Sequence, residues 1–454
     1  MPEQPAEQRV KNFSEVLLGY DEETAKREAS RCLQCKHKPC ENGCPAKVKI
    51  PEFIALTREG KFLAAAKKIK ETNSLPAVCG RVCPQETQCE EVCVLAKRFE
   101  PVAIGKLEMF VADYERKMRV APETLTVPKN GFSVAIVGGG PAGIACAGDL
   151  IRMGYKVTVF EALHQVGGVL VYGIPEFRLS NDTVEYEVEN LKKLGVEFKT
   201  NSPVGLVVSG EELLKEYSAI FVGSGAGLPA FLGVEGENLN GVYSANEYLT
   251  RVNLMSAYRF PESDTPVIRH KRIAIFGGGN VAMDSCRTAL RLGAEKVYCV
   301  YRRTEKEMPA RVEEVHHAKE EGVEFRLLRA PVVITGDEKG FVNGVRTQVM
   351  ELGEPDAKGR RRPVPVKDAY EDIAVDGVIV AIGNNPNPII PKTTPMIQVN
   401  DHGNIIIDEN HMTAMPGVFA GGDITRGAAT VILAIGDGKE AALAIDRYLN
   451  AKND

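Results

Sequence analysis

Twice along the chain a short apolar run of β-forming residues breaks into a glycine-rich turn, continues into helix-forming sequence, and ends in a second β run. The first copy reads Val134-Ala135-Ile136-Val137 and then Gly138-x-Gly140-Pro141-Ala142-Gly143, and its second β run closes at Glu161. The other reads Arg272 to Phe276 and then Gly277-Gly278-Gly279-Asn280-Val281-Ala282, and its second β run continues into Arg302 and Arg303. A unit of this kind suits a dinucleotide. The glycines allow a tight turn, close approach of the backbone to a pyrophosphate, and packing of helix on strand, while the helix N-terminus faces the phosphates. Ala282 in the third place is within the motif's tolerance.

The copies differ at the end of their second strand. Glu161 can hold ribose hydroxyls but would repel a 2′-phosphate. Arg302 and Arg303 offer guanidinium groups that can bind one through paired hydrogen bonds. The second unit is therefore expected to take NADPH, with Gly277, Gly279, Asn280 and Val281 at the pyrophosphate and Arg311 as a candidate third cation. The competing reading places these arginines on a solvated strand end. Just past Glu161, the adjacent Gly167 and Gly168 suit close backbone approach to a cofactor. Ala219 to Val222 reads as a β run entering the turn Gly223-Ser224-Gly225-Ala226-Gly227, where the chain is expected to leave the first domain. Arg360-Arg361-Arg362 reads as part of a solvated hairpin loop with no assigned role.

With 454 residues the chain is long enough for about three domains. A net charge of -5 gives no reason to expect a nucleic acid or an anionic membrane as partner. No apolar run approaches the ~18 residues of a membrane span, and Met1 to Arg9 is polar, so a cytoplasmic protein is expected. Eight of the 11 cysteines fall between Cys32 and Cys93. They form two ladders: Cys32, Cys35, Cys40 and Cys44-Pro45, then, after a helical interval over Glu52–Glu71, Cys79, Cys83-Pro84, Cys89 and Cys93. Disulfides suit small secreted domains. The spacing leaves zinc and iron–sulfur clusters as the metal readings, and the Cys-Pro that closes the first ladder favours clusters.

The run from Cys32 through Ile104-Gly105-Lys106-Leu107-Glu108 resembles the N-terminal domain of glutamate synthase small subunits and of dihydropyrimidine dehydrogenase. It also resembles the large subunit of NADH-dependent reduced ferredoxin:NADP oxidoreductase, a flavin-based transhydrogenase. The resemblance runs over nearly the whole chain. It implies a crossed ligand pattern: one [4Fe-4S] cluster on Cys32, Cys35, Cys40 and Cys93, the other on Cys44, Cys83, Cys89 and Glu108, with Cys79 a bystander. It further implies that the segment from Gly168 to Arg178 lies along FAD, and that the turn Ala381-Ile382-Gly383 borders NADPH. In two-dinucleotide flavoproteins the motif Gly421-Gly422-Asp423 lies near the FAD ribityl and pyrophosphate. Ala429, Thr430 and Val431 would then stand at a helix N-terminus beneath the flavin ring, where the helix dipole favours negative charge.

The expected architecture is α/β: a helical two-cluster iron–sulfur domain followed by two Rossmann-like dinucleotide-binding domains, one for FAD and one for NADPH. The iron–sulfur domain spans 1–127, and the FAD domain spans 128–229 and 386–454. The NADPH domain, 230–385, is inserted in the FAD domain. NADPH gives up two electrons at once as a hydride, whereas clusters accept them singly. FAD can do both and must stand between them. No acid–base catalytic residue is expected, because hydride transfer needs stacked and oriented rings. The chain is read as a subunit of a flavin-based transhydrogenase, possessing FAD, NADP(H) and two [4Fe-4S] clusters. It would exchange electrons with ferredoxin or a partner subunit, with or without electron bifurcation. The alternative is a glutamate synthase small subunit that delivers electrons to the glutamate-forming subunit. A disulfide reductase would need a redox Cys-x-x-Cys in the NADPH domain, where only the separated Cys286 and Cys299 occur.

Overall fold

The computed structural model of the chain describes residues 1–120, 125, 127–355 and 361–452. Its N-terminal part is helical. Asp21 caps the helix Glu22–Ala29 by accepting the Thr24 N–H at 2.7 Å. The predicted helical interval over 52–71 is two helices, Ile50–Arg58 and Phe62–Lys70. They are separated by Gly60, whose φ of +75° a side chain would disfavour. Helices Pro76–Val82 and Ile104–Lys117 cross at backbone contact, since a Cβ on Gly80 would lie 2.4 Å from the Met109 nitrogen. Phe53, Ile54, Ile69, Leu75 and Leu107 fill the space between these helices and are buried.

Two five-stranded parallel sheets follow, each built around its glycine-rich unit. In the first, the strands lie in the order Val418–Ala420, Ala219–Val222, Ser133–Val137, Lys156–Phe160, Glu197–Lys199. In the second the order is Val242–Ser244, Gly377–Val380, Arg272–Phe276, Lys296–Tyr301, Glu324–Leu327. A parallel sheet is covered on both faces, which is why Val134–Val137 and Ile273–Phe276 read as unbroken apolar runs. The chain leaves and re-enters the first sheet through a two-stranded antiparallel ribbon, Leu228–Pro229 against Asn384–Asn385. The second sheet is thus an excursion between two neighbouring strands of the first.

The sequence reading did not foresee a three-stranded antiparallel sheet, Arg329–Gly336, Val342–Pro355 and Arg361–Ile373. Its Ile334, Val342, Val345 and Ile373 pack with Ala274, Phe276 and Tyr298 of the second parallel sheet. Arg361 and Arg362 open its last strand and are exposed; Arg360 and the linker residues Ala121 and Pro122 lie outside the described residues. Among the described residues no helix is long and apolar enough to cross a membrane.

The three parts are joined by a buried network of charges. Arg9 near the N-terminus, 1% exposed, donates through Nε to Glu321 Oε1 at 2.9 Å. Glu321 also accepts from Arg287 at 2.8 and 3.0 Å and from Arg291 at 2.6 Å. Arg287 reaches Glu314, which accepts in turn from Arg178 of the first domain at 3.1 Å. Arg178 further grips both oxygens of Asp284 at 2.8 and 2.7 Å. The first residues of the chain thus form a strap over the second sheet domain, where Phe13 stacks on Tyr258 at 4.2 Å. Glu15 of the same strap reaches Arg81 of the helical domain. Removing one member of a buried pair costs about 3–5 kcal/mol, because the other charge is left uncompensated.

Burial alone would raise the Glu321 carboxyl, but hydrogen bonds from Arg291 and Arg287, with their charges, bring it down to about 2. Against an unfolded value near 4.5 this contributes about 3 kcal/mol at neutral pH. A depressed carboxylate gives stability that is complete above its unfolded value and is lost as pH falls toward the folded one. Glu321→Gln should therefore be less stable than the wild type by about 3 kcal/mol at pH 7. The gap should narrow when pH drops below 4.5. Urea unfolding curves of both proteins at pH 7 and pH 4 check this, and a gap that stays constant between them would contradict it.

Candidate flavin and nicotinamide site

A cavity of about 960 Å³ lies where the three parts meet. Residues of the first glycine-rich turn line it: Gly138, Gly140, Pro141 and Ala142. The glycines have separate physical reasons. Gly138 has φ +102°, and a Cβ there would lie 2.5 Å from the Gly223 oxygen. Gly143 is a packing position, since its Cβ would meet the Gly138 oxygen at 2.0 Å. A Cβ on Gly140 would meet nothing within 4 Å. That is a cradle left clear on the cavity side, and it fits a pyrophosphate approaching the backbone.

Glu161 lines the same cavity and braces the turn: Oε2 accepts the Gly139 N–H at 2.8 Å and Oε1 that of Leu163 at 2.9 Å. Burial raises its carboxyl despite these bonds. Gly168, with φ +55°, brings its loop against Gly140, where a Cβ would lie 2.9 Å from the Gly140 Cα. From the other end of the chain come Gly422, Asp423, Ala429, Thr430 and Val431, all lining the cavity. Asp423 accepts the Ala429 N–H at 3.2 Å, and burial pushes its carboxyl up to about 6. Thr430 caps the helix Val431–Asn450, whose N-terminus faces the cavity. That helix packs on Pro141–Arg152 at backbone contact, because a Cβ on Gly438 would lie 2.2 Å from the Ala142 oxygen. Two helix N-termini thereby flank one cavity, an arrangement suited to anionic groups.

The helix of the second unit contributes Asn280, Val281 and Asp284 to the same cavity, whereas Gly277, Gly279 and the Ala381-Ile382-Gly383 turn are not among its lining residues. Gly277 closes against the Ala381-Ile382-Gly383 turn, its Cβ position 2.2 Å from the Ala381 oxygen. Gly279 precedes the helix Asn280–Arg291, whose Asn280 side chain accepts the Arg311 N–H at 2.9 Å. Arg302 is exposed and Arg303 half-buried at the end of their strand, beside the glycine turn and outside the cavity lining. The Arg303 Nε is buried without a hydrogen-bond partner. Two expected residues turn out to be engaged elsewhere. Arg178 lines the cavity, but its guanidinium is bound to Asp284 and Glu314. Arg311 does not stand as a third free cation: it donates to the Arg81 carbonyl at 3.0 Å and to Gln85 at 3.2 Å, and pairs with Glu86 and Glu313. The helical domain consumes its charge.

The cysteines fall into two groups. Cys32, Cys35, Cys40 and Cys93, partly exposed, border one small void of about 30 Å³. Cys44, Cys83 and Cys89 are buried; burial raises the thiols of Cys44 and Cys89, contact with Cys79 and burial raise that of Cys83, and the nearby Glu108 adds to each. Glu108 is itself buried; burial pushes its carboxyl up to about 8, although Asn73 donates to it at 2.9 Å. Cys79 sits against Cys83. Among the described residues no three His, Cys, Asp or Glu side chains gather as ligands of a single ion. Cys286 and Cys299, distant in sequence, touch in the core of the second sheet domain; both are fully buried and neither lines the cavity.

Sequence reading missed several cavity residues. Val82 and Pro84, on either side of Cys83, bring the helical domain to the cavity wall. Their signal was present in the Cys83-Pro84 pair but pointed only to a ligand. Ser224, in a turn already noted as glycine-rich, lines the cavity with its hydroxyl oxygen buried and unpartnered. Tyr172 falls within the segment expected along FAD, whereas Asn246 carried no signal that a single sequence exposes.

Residues 9–120 match the sequence profile described as dihydropyrimidine dehydrogenase domain II, 4Fe-4S cluster, and residues 132–438 match pyridine nucleotide-disulphide oxidoreductase. The small chain of NADPH glutamate synthase from Escherichia coli K12 is 40% identical over 99% of this chain and 96% of its own. The beta subunit of NADP-dependent formate dehydrogenase from Moorella thermoacetica is 38% identical over 96% of this chain and 64% of its own. Among solved structures, Mycobacterium tuberculosis FprA in complex with NADPH shares the fold, with a TM-score of 0.60 and 20% identity over 71% of this chain and 86% of that one. The chain belongs to the glutamate synthase small-chain family, in which a 4Fe-4S cluster domain precedes a pyridine nucleotide-disulphide oxidoreductase unit.

Proposed function

We propose that the chain is an NADPH-linked electron-transfer subunit that carries FAD and two [4Fe-4S] clusters and passes electrons singly to a partner polypeptide. The observation that carries this reading is the shared cavity: the first glycine-rich turn, the start of the helix that follows the second, and the residues flanking Cys83 line one space. FAD, when bound, supplies the conversion of a two-electron hydride into single electrons.

The chain's own residues bind, orient and insulate. Gly138, Gly140 and the helix beginning at Pro141 would hold the FAD pyrophosphate. Glu161 would keep the glycine turn in shape and face the ribose, and Asp423 with Thr430 and Val431 would face the flavin end. Gly277, Gly279, Asn280 and Val281 would hold the NADPH pyrophosphate opposite Ala381, Ile382 and Gly383. Arg302 and Arg303 would take the 2′-phosphate, a role supported by the buried, unpartnered Nε of Arg303. Arg178 serves this site through position, by fixing Asp284 and hence the second helix against the first domain. The outer cysteines Cys32, Cys35, Cys40 and Cys93 suit one cluster. Cys44, Cys83, Cys89 and Glu108 suit the other, nearer the cavity.

For the acceptor, the near end-to-end match to a glutamate synthase small chain supports a glutamate-forming partner over a transhydrogenase complex. NADPH as reductant supports action in the cytoplasm. Co-purification from the native host, assayed for glutamate formation and for ferredoxin-coupled NADH/NADPH exchange, separates the two acceptors. Anaerobic NADPH should bleach the flavin absorbance of the purified protein and then that of the clusters; flavin left oxidised by NADPH would sink the proposal.

Four variants test the assignments. Arg302→Ala with Arg303→Ala should raise the NADPH KM by about 10–100-fold, the loss of one or two charge-assisted hydrogen bonds, and leave NADH kinetics nearly unchanged. An equal effect on both nucleotides would remove the 2′-phosphate role. Glu108→Ala should remove about half of the bound iron while the other cluster keeps its spectrum; unchanged iron and spectra would exclude Glu108 as a ligand. Gly140→Val should yield a folded protein without flavin. Gly143→Val should lose about 1–3 kcal/mol of stability from forced separation of helix and strand. Thermal melts of the flavin-free proteins distinguish them, and flavin retained by Gly140→Val would contradict the cradle.

A further inference from the structure

Residues 308–311 lead from the second glycine-rich unit into the helix Val312–Glu320, and their main chain is bonded to the glycine turn itself. The Ala310 N–H donates to the Gly278 carbonyl at 3.1 Å, and the Arg311 N–H donates to Asn280 Oδ1 at 2.9 Å. Pro309 stands over the same turn, its Cγ 3.9 Å from where a Cβ on Gly279 would lie. Gly279 and Asn280 are the residues proposed above to hold the NADPH pyrophosphate.

The Arg311 side chain runs the other way, into the helical domain. It is 6% exposed, and each of its three nitrogens is engaged. Nε reaches Glu86 at 3.2 Å, Nη1 donates to the Arg81 carbonyl at 3.0 Å, and Nη2 reaches both Gln85 Oε1 and Glu313 at 3.2 Å. The two carboxylates would neutralise any cation placed between them. The Arg81 carbonyl and the Gln85 amide are neutral, and paired bonds from a planar fork to such groups fix position as well as charge. Arg81 and Gln85 are also the two ends of the turn that carries Cys83, and both are buried. Gln85 closes that turn by donating Nε2 to the Cys79 carbonyl at 3.0 Å. Its side chain is wedged against Gly105, where a Cβ would lie 2.2 Å from Nε2. Within the turn, Val82 and Pro84 line the cavity. One residue thus holds the glycine turn of the nucleotide unit by its backbone and the Cys83 turn by its guanidinium.

We propose that Arg311 is a positioning residue that couples nucleotide binding to the cavity wall around Cys83. The proposal rests on the NADPH and cluster assignments above and adds the residue that sets one in register with the other. A nucleotide that fixes Gly278 and Asn280 fixes the main-chain bonds of Ala310 and Arg311, and through the guanidinium it fixes the turn from Arg81 to Gln85. The wall between the cavity and the buried cysteines is therefore held most firmly when the electron donor is in place. A mere stitch between domains would hold that wall equally with and without nucleotide; coupling is a difference between the two states.

The test uses the holoprotein with NADP⁺, which binds without donating a hydride, and reads hydrogen exchange by mass spectrometry. In the wild type NADP⁺ should slow exchange at residues 277–283 and also at residues 82–86. Arg311→Lys keeps the main-chain bonds and a positive charge between Glu86 and Glu313, but one ammonium cannot reproduce the fork. It should keep the protection of 277–283 and lose that of 82–86. On mixing with NADPH, the variant's flavin should bleach as in the wild type. Its clusters should bleach more slowly by about 2–30-fold, the range for a residue that couples two sites without touching either ligand. No protection at 277–283 in the wild type would remove the NADPH assignment and the coupling with it. Protection of 277–283 without any at 82–86, or an Arg311→Lys protein that keeps both, would overturn the coupling and leave the NADPH assignment standing.

Discussion

One carboxylate, Glu321, lies between three guanidiniums, those of Arg9, Arg287 and Arg291, with no exposure of its own side chain. From it a chain of charges runs through Glu314 and Arg178 to Asp284, at the edge of the cavity. Networks like this contribute less to net stability than apolar packing of the same volume would, since every charge must first be desolvated. Their effect is on geometry. Each carboxylate accepts only where its donors stand, so the first sheet domain, the second and the N-terminal strap are held in one mutual arrangement. Asp284 is the least satisfied member: burial raises its carboxyl to about 6 despite the two bonds from Arg178. A reaction that depends on stacked rings held by two different domains gains from that rigidity, because small misplacements of reacting rings are costly.

The sequence carried the two glycine-rich units plainly, because their constraint is local. Gly138, Gly143 and Gly277 are required by backbone atoms that approach to about atomic contact, and such approaches repeat in every unit of this kind. The unbroken apolar strands were legible for the same reason. The network was not. Arg9 and Glu321 are 312 residues apart, and each looks like an ordinary charge on a solvated face. The three-stranded antiparallel sheet was equally hidden, its strands being only partly buried and rich in charge. Arg311 shows the limit from the other side. Its place near the second glycine turn was visible, but the helical domain that takes its guanidinium comes from residues 81–86, more than 200 positions away.

The cavity explains why three domains, and not two, are needed. Its walls include the first glycine turn, the start of the helix after the second, the N-terminus of the last long helix, and Val82 and Pro84 of the helical domain. The helical domain is fixed there by Arg311 and by Lys106 paired with Glu313. These contacts bring the buried cysteines near the proposed flavin without exposing them. Hydride chemistry and single-electron chemistry need different surroundings. The former wants a closed cleft that orders two ring systems, the latter a short route through protein.

That requirement also orders the two cysteine groups. A group buried against the cavity wall can exchange electrons with the proposed flavin but cannot meet another protein. A group open at the surface can meet one but stands away from the cavity. Cys83 between Val82 and Pro84 belongs to the first kind, and Cys32, Cys35, Cys40 and Cys93 to the second. The crossed pairing of the two ladders that the resemblance implies would suit this division. Cys93 returns from the end of the second ladder to the outer void, and Cys44 turns from the end of the first toward Glu108 and the interior. Crossing them would set one group inside and one outside, as a proposed path from a closed cleft to the surface requires.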